Sequence, residues 1–251
     1  MTTLQDQLSA TLFQTKQLPV SRAWLSTFLT TSTSNRQIPL PALTQTALFR
    51  ILNSDIRETL STINPTSLLP RNITDPNTKE TRLQGPIPLQ VLDIEDIGSS
   101  LWSQVEAIER VERGEAVRGR EIVRTVNVEG REEGLNGNNN GSGGNATGGP
   151  HRLTFQDAAG NRVVGIELHR IKEIGIGKLS IGAKVVVGNA VVARGVVLLT
   201  PDCARVLGGK IEAMDRVWKE GRKMRLKARV EEMESGELGI NRNRNGDPME
   251  E

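Results

Sequence analysis

The residues best suited by type and spacing to do chemistry are the neighbouring carboxylates Asp93, Glu95 and Asp96. Such a cluster could hold Mg2+ or serve acid–base work, but no histidine or further acid is placed by sequence to join it, so it reads as a solvated strand end. Gly175-Ile176-Gly177-Lys178-Leu179-Ser180 has the outline of a phosphate-cradling loop. That motif needs Ser or Thr directly after its lysine to reach Mg2+, and here Leu179 stands there with no long helix behind it. His151, His169 and Cys203 are too few and too scattered for zinc, which wants four ligands in paired spacing. Cys203 has no visible activating neighbour and reads as a small residue at the edge of a core. The sequence points to no catalytic residue, no cofactor and no metal, and the expected class is a binding protein rather than an enzyme.

Charge gives a second, local signal. With 32 basic against 30 acidic residues, a net charge of +2 creates no global field for nucleic acid or an anionic membrane. The segment 216–229 nevertheless holds seven basic residues against Glu220 alone, and glutamates dominate from Glu231 onward. Candidate phosphate contacts are therefore Lys219, Arg222 and Lys223 there, with Arg152, Arg162, Lys184 and Arg194 in the strand-rich region. The competing reading is a solvated helix with compensating charges. Single-strand binding by small barrels leans on aromatic platforms. Between residues 83 and 211 the aromatics are Trp102 and Phe155, and the chain has no tyrosine, which favours protein over nucleic acid as the ligand.

The elements that would position these residues follow from periodicity. Pro19-Val20-Ser21 precedes a helix whose Trp24, Leu25, Phe28 and Leu29 make one apolar face; a second follows Pro41, with Leu43, Ala47, Leu48, Ile51, Leu52 and Ile56 at three- and four-residue steps. Segments this short are marginal alone and need something to pack on. Strands are expected at 87–95, 152–157, 162–168, 183–188 and 190–200, the second and third joined by the turn Ala158-Ala159-Gly160-Asn161. Gly188-Asn189 suits a two-residue hairpin turn, and Gly195 a bulge or bend that helps a sheet curl. Five short strands with a connector at 170–182 match the order of an OB barrel, whereas a sandwich would want about seven. Ile211, Met214, Val217 and Trp218 then open a helix running to about Glu234, weakened at Gly221.

Between the first and second expected strands lie far more residues than an ordinary connection of roughly 4–6. Ser100 is a candidate N-cap for a helix carrying Leu101, Val105, Ile108 and Val111, and Ile122, Val123 and Val126 sit in a β-branched run that suits either a strand or an extended binding segment. Residues 134–149, rich in Gly and Asn, should behave as flexible coil. The expected division is a helical region 1–82, an OB fold 83–211 with an insertion 103–150, and a charged helix and tail 212–251. A single cysteine, with neither an apolar leader nor an apolar run approaching 18 residues, makes a soluble, reducing, intracellular setting the expectation.

Four stretches together resemble the RecQ-mediated genome instability protein 1 family in a short fungal form: Pro19–Leu29 with Trp24-Leu25, Leu48–Glu58, Leu89–Gln104 around Asp93-Ile94-Glu95-Asp96-Ile97, and Gly182–Ala213 with Arg194-Gly195 and Val206-Leu207-Gly208-Gly209-Lys210. The resemblance implies an N-terminal helical bundle on an OB fold, a nuclear location, and a non-catalytic role beside topoisomerase III and a RecQ-type helicase in dissolving double Holliday junctions. It implies that the insertion acts at the topoisomerase gate, with Trp102, Val105, Ile108, Val111, Ile122, Val123 and Val126 as partner-binding candidates. DNA is then contacted weakly or through the complex, with neither a membrane nor a small-molecule substrate involved. No second OB domain follows residue 211, so the extra small OB subunit bound by longer relatives is not expected. The alternative is an autonomous single-stranded DNA-binding OB module.

Overall fold

The computed structural model describes residues 3–33, 38–114 and 149–244. The chain divides into two compact units, Met1–Gly98 with Gly149–Gly221 and Ser99–Gly148 with Arg222–Glu251. The first unit holds the helical bundle and the sheet.

The bundle contains α1 (Leu4–Lys16), α2 (Arg22–Thr33), α3 (Leu40–Leu52) and the single turn α4 (Ile56–Thr59), followed by a 3-10 turn at Pro65–Ser67. Helix α1 was not evident from apolar spacing, since only Leu8 and Leu12 are buried along a polar segment. Its signal is the cap: Thr3 Oγ1 accepts from the Asp6 N–H while Asp6 accepts from the Thr3 N–H, a reciprocal capping box. In α2, Leu25 and Phe28 are buried, Trp24 stacks on Phe28 with ring centroids 5.4 Å apart, and the Arg50 guanidinium lies over the Phe28 ring. Helix α3 buries Leu43, Ala47 and Ile51. The expected pattern through Ile56 is interrupted: α3 stops at Leu52, and Asp55 caps the fresh turn α4.

The sheet has eight strands: β1 (Glu80–Leu83), β2 (Ile87–Asp96), β3 (His151–Gln156), β4 (Arg162–Glu167), β5 (Lys184–Val187), β6 (Ala190–Ala193), β7 (Val196–Leu199) and β8 (Ala204–Gly208). Their order is β1-β6-β7-β4-β3-β2-β5-β8, antiparallel except for β4 beside β7, which is parallel. The expected strands 87–95, 152–157 and 162–168 are present, and the curled mixed sheet around one core is that of an OB fold. Two connections differ from expectation. Gly188-Asn189 does not turn a hairpin, because β5 pairs with β2 and β8 while β6 pairs with β1 and β7. The hairpin is one turn later. Arg194 and Gly195, both at positive φ (47° and 82°), separate β6 from β7 and split the expected 190–200 strand, as a type I′ turn requires. Strand β1 is too short and too polar to have stood out in sequence, and β8 was not expected either.

Within the sheet, Phe155 lies against Gly165 on the neighbouring strand, where a Cβ would come within 2.8 Å of its ring. Asp157, fully buried, accepts from the N–H groups of Ala159 and Asn161, holding the β3–β4 turn, and from the Leu69 N–H, tying the segment after the bundle to that turn. The first part of α6 (Glu212–Arg244) is fastened to the same unit: Trp218 Nε1–H donates to Asp93 at 2.5 Å, and the buried Asp215 accepts from the Ile181 N–H. Burial opposes the charge of Asp215, but Lys219, that N–H and Lys210 outweigh it and hold the carboxyl below its usual range.

Bundle and sheet meet through two polar residues directly opposite each other in register, Gln90 on β2 and Lys184 on β5, both with no exposed surface. Gln90 Oε1 accepts from the Ile56 N–H at 2.9 Å. The Lys184 ammonium donates to the carbonyls of Ser54 and Gly182 at 2.7 Å each and of Leu52, the last residue of α3, at 3.4 Å. Gly209 (φ 91°) passes so close to the Leu52 carbonyl that a Cβ would stand 2.2 Å from it.

Burial lowers the Lys184 pKa from 10.5 to about 8, with Asp55 opposing the shift. Between those pH values the unfolded chain binds more protons at this residue than the native chain does, so native stability contributed here rises with pH through that window. Compared with Lys184→Met, denaturant unfolding of the parent should gain on the order of 3 kcal/mol from pH 8 to 10.5. Parallel pH profiles for the two proteins would contradict the buried ammonium.

Candidate partner-binding site at the sheet interruption

The sheet is interrupted between β2 and β3, and the ladder itself shows how this is tolerated. The two strands stay paired out to Asp96 and His151, and the Ile97 N–H donates to the Pro150 carbonyl one step beyond. At the next step Gly98 and Gly149 touch backbone to backbone; a Cβ on either would lie 2.4 Å from the other's Cα. Asp96 Oδ1 accepts from the Gly98 N–H and tightens the exit. Beneath this neck sits a buried pair that sequence reasoning missed. His151 Nδ1 lies 2.5 Å from Glu167 Oε2, the His151 N–H donates to that same oxygen, and Glu167 Oε1 accepts from the Ile171 N–H. Both residues fall on the inward phase of their strands, His151 with Leu153 and Phe155, Glu167 with Val163 and Gly165. A charged residue on the apolar phase was the available signal.

The carboxylates that opened the sequence analysis do structural work. Asp93 receives the Trp218 indole N–H, Glu95 pairs with Arg152 at 3.2 Å, and Asp96 holds the neck. Among the described residues no group of three or more His, Cys, Asp or Glu is arranged to hold a metal ion. Cys203 is buried, and the Thr200 N–H donates to its sulfur. Residues 175–180 form a turn and bends, with no helix following.

In the second unit α5 (Leu101–Glu112) starts where expected, with Ser100 Oγ accepting from the Ser103 N–H. Of the partner-binding candidates, Trp102 and Val111 are each 63% exposed, Ile108 is half-buried, and Val105, at 2%, is a packing residue with no surface for a partner. Ile122, Val123 and Val126 lie outside the described residues. The second part of α6 faces α5 with opposite charge. Lys223 Nζ lies 2.5 Å from Glu112 and 3.4 Å from Glu109, Lys227 lies 2.7 Å from Glu109, and Arg222 donates to Gln104. Lys227 first, then Lys223, hold the Glu109 carboxyl below its usual range, and Glu112 raises Lys223. Helix α6 runs unbroken through Gly221 and beyond Glu234, where the sequence suggested an end.

The phosphate-contact candidates fare differently. Lys184 is corrected outright: it is fully buried, and its ammonium is spent on three carbonyls. Arg152 is paired with Glu95, Lys219 with Asp215 at 2.7 Å, and Arg222 and Lys223 are engaged by α5. Arg162 and Arg194 are exposed, each two residues before the paired Val164 and Val196, and so stand at the same end of the parallel β4–β7 pair. No helix among the described residues is long and apolar enough to cross a membrane.

A helical bundle pinned to a curled mixed sheet, interrupted between its first long strand and the next, defines the class: an OB-fold chain with an N-terminal helical domain. Comparison with known families agrees. The profile for the RMI1 N-terminal helical domain matches residues 6–59, and that for the RMI1 N-terminal OB-fold domain matches residues 69–222. The chain belongs to the RMI1 family. It is 26% identical over 204 residues to RecQ-mediated genome instability protein 1 of Schizosaccharomyces pombe, an alignment covering 78% of this chain and 84% of that protein.

The neck makes its own prediction. Glu167→Gln leaves one acceptor oxygen where the carboxylate supplied two, so either the His151 donors or the Ile171 N–H loses its partner in a buried site. Stability should fall by roughly 1–3 kcal/mol, read as a shifted denaturant midpoint at unchanged m-value. A midpoint matching the parent's would mean that the pair does not support the neck.

Proposed function

We propose that this chain is a non-catalytic nuclear subunit of a RecQ helicase–topoisomerase III complex, acting in DNA repair, recombination and replication through the dissolution of double Holliday junctions. Family membership supports the general role, and the name of the fission-yeast relative ties that protein to RecQ-mediated genome stability. The observation that carries the finer reading is the sheet interruption. The neck keeps the ladder intact on both sides while the chain departs, and the first helix beyond it bears a large exposed indole, Trp102. Tryptophan is enriched among the residues that anchor protein interfaces. The insertion regulates the topoisomerase DNA gate by contacting one gate conformation more favourably than another, a population shift that needs no chemistry on this chain.

An autonomous single-stranded DNA-binding role has less support. Of its seven candidate cations Lys184 is buried and four others are engaged by neighbouring side chains. DNA then reaches the chain weakly or through the complex, with Arg162 and Arg194 as the exposed pair.

Purified topoisomerase III should co-elute with this chain and lose it when residues 103–150 are replaced by a short turn. Trp102→Ala should weaken the complex about tenfold or more, measured by titration calorimetry. Co-elution that survives the replacement unchanged would refute the insertion as the gripping element.

A further inference from the structure

The basic run of the C-terminal helix looks in sequence like a surface awaiting an anion, yet in the structure Lys219, Lys223 and Lys227 already have one. Glu109 and Glu112, three residues apart on α5, face Lys223 and Lys227, four apart on α6, so each pair lies along one side of its helix. Lys223 bridges both glutamates and Glu109 bridges both lysines, which makes a continuous chain of three ion pairs through four residues rather than isolated pairs. Arg222 adds a hydrogen bond to Gln104, whose own amide N–H donates to the Ser99 carbonyl at the start of the helix. Apolar side chains are buried on both helices, Val105 on α5 and Leu226 and Val230, again four apart, on α6.

We propose that Arg222, Lys223 and Lys227 are positioning residues: they form an electrostatic clasp that holds the first helix of the insertion, so the C-terminal helix belongs functionally to the insertion. A 12-residue segment such as α5 is marginal as an isolated helix in water and needs outside contacts to persist. Single exposed ion pairs contribute little, but a shared network is the case in which they add. The clasp also explains why a strongly basic stretch is set in a chain that is nearly neutral. Its positive charge complements a glutamate-bearing helix over a hundred residues away in sequence. The consequence that Trp102 is offered to a partner from a braced helix rests on the function proposed above, whereas the clasp itself does not.

The test uses the free full-length chain, so its failure is separate from failure to bind topoisomerase III. Amide hydrogen exchange is followed across residues 101–112 and, as an internal reference, across the strands 87–96 and 151–156. Reversing the acids with Glu109→Lys and Glu112→Lys should speed exchange in 101–112 about tenfold and leave the strands unchanged. Adding Lys223→Glu and Lys227→Glu to the same protein should restore protection to within about threefold of the parent. High salt should speed exchange of 101–112 in the parent and have less effect in the reversed variant. An unchanged rate on reversal, a defect that the charge swap fails to repair, or loss of strand protection along with the helix would each overturn the clasp.

Discussion

The architecture depends on one buried cation. Lys184 stands on the outer face of a strand, where a lysine would ordinarily extend into water, yet it has no exposed surface because the bundle covers it. Taking an ammonium out of water is costly unless each N–H finds an acceptor. Here the acceptors are the carbonyls of Leu52, Ser54 and Gly182. The first belongs to the end of α3, where the unsatisfied carbonyls carry the negative end of the helix dipole and favour a cation. Opposite it in the ladder, Gln90 satisfies the N–H of Ile56 at the start of the next helical turn. One pair of facing side chains thus closes the break between α3 and α4, and that break is what allows the bundle to sit on the sheet. Gly209, with no side chain, lets the backbone after β8 come against the same carbonyl.

With the bundle fixed, the sheet can bear an interruption at its centre. Strand β2 is paired with β5 over Ile87–Gln90 and with β3 from Gln90 to Asp96, so the chain departs after Asp96 from a strand still held in the ladder. Two glycines meet at the neck, and a buried carboxylate collects the backbone N–H groups of His151 and Ile171 just below it. The result is an exit tied to the sheet by backbone contact and buried hydrogen bonds.

Several of the charges that stood out in sequence are turned inward on the chain itself. Lys184 serves a helix end, Lys219 a buried aspartate, Arg152 a strand glutamate, and Lys223 and Lys227 the glutamates of α5.

Much of this was legible in sequence because it is local. The 3.6-residue spacing around Leu25 and Phe28 and around Leu43, Ala47 and Ile51, the period-two strands at 87–95, 152–157 and 162–168, the Ser100 cap and the over-long interval all depend on near neighbours. The family resemblance rested on these same stretches. What needed the tertiary structure was pairing at a distance. Whether Gly188-Asn189 or Arg194-Gly195 turned the hairpin depended on which strands became neighbours, and the fate of Lys184 depended on helices more than a hundred residues earlier covering its face. The basic run of α6 read as a nucleic-acid surface or a solvated helix because its acidic partners lie on α5. A side chain's type and phase say which way it points; only the folded chain decides what it meets there, and for a charge that difference separates a binding surface from an internal fastening.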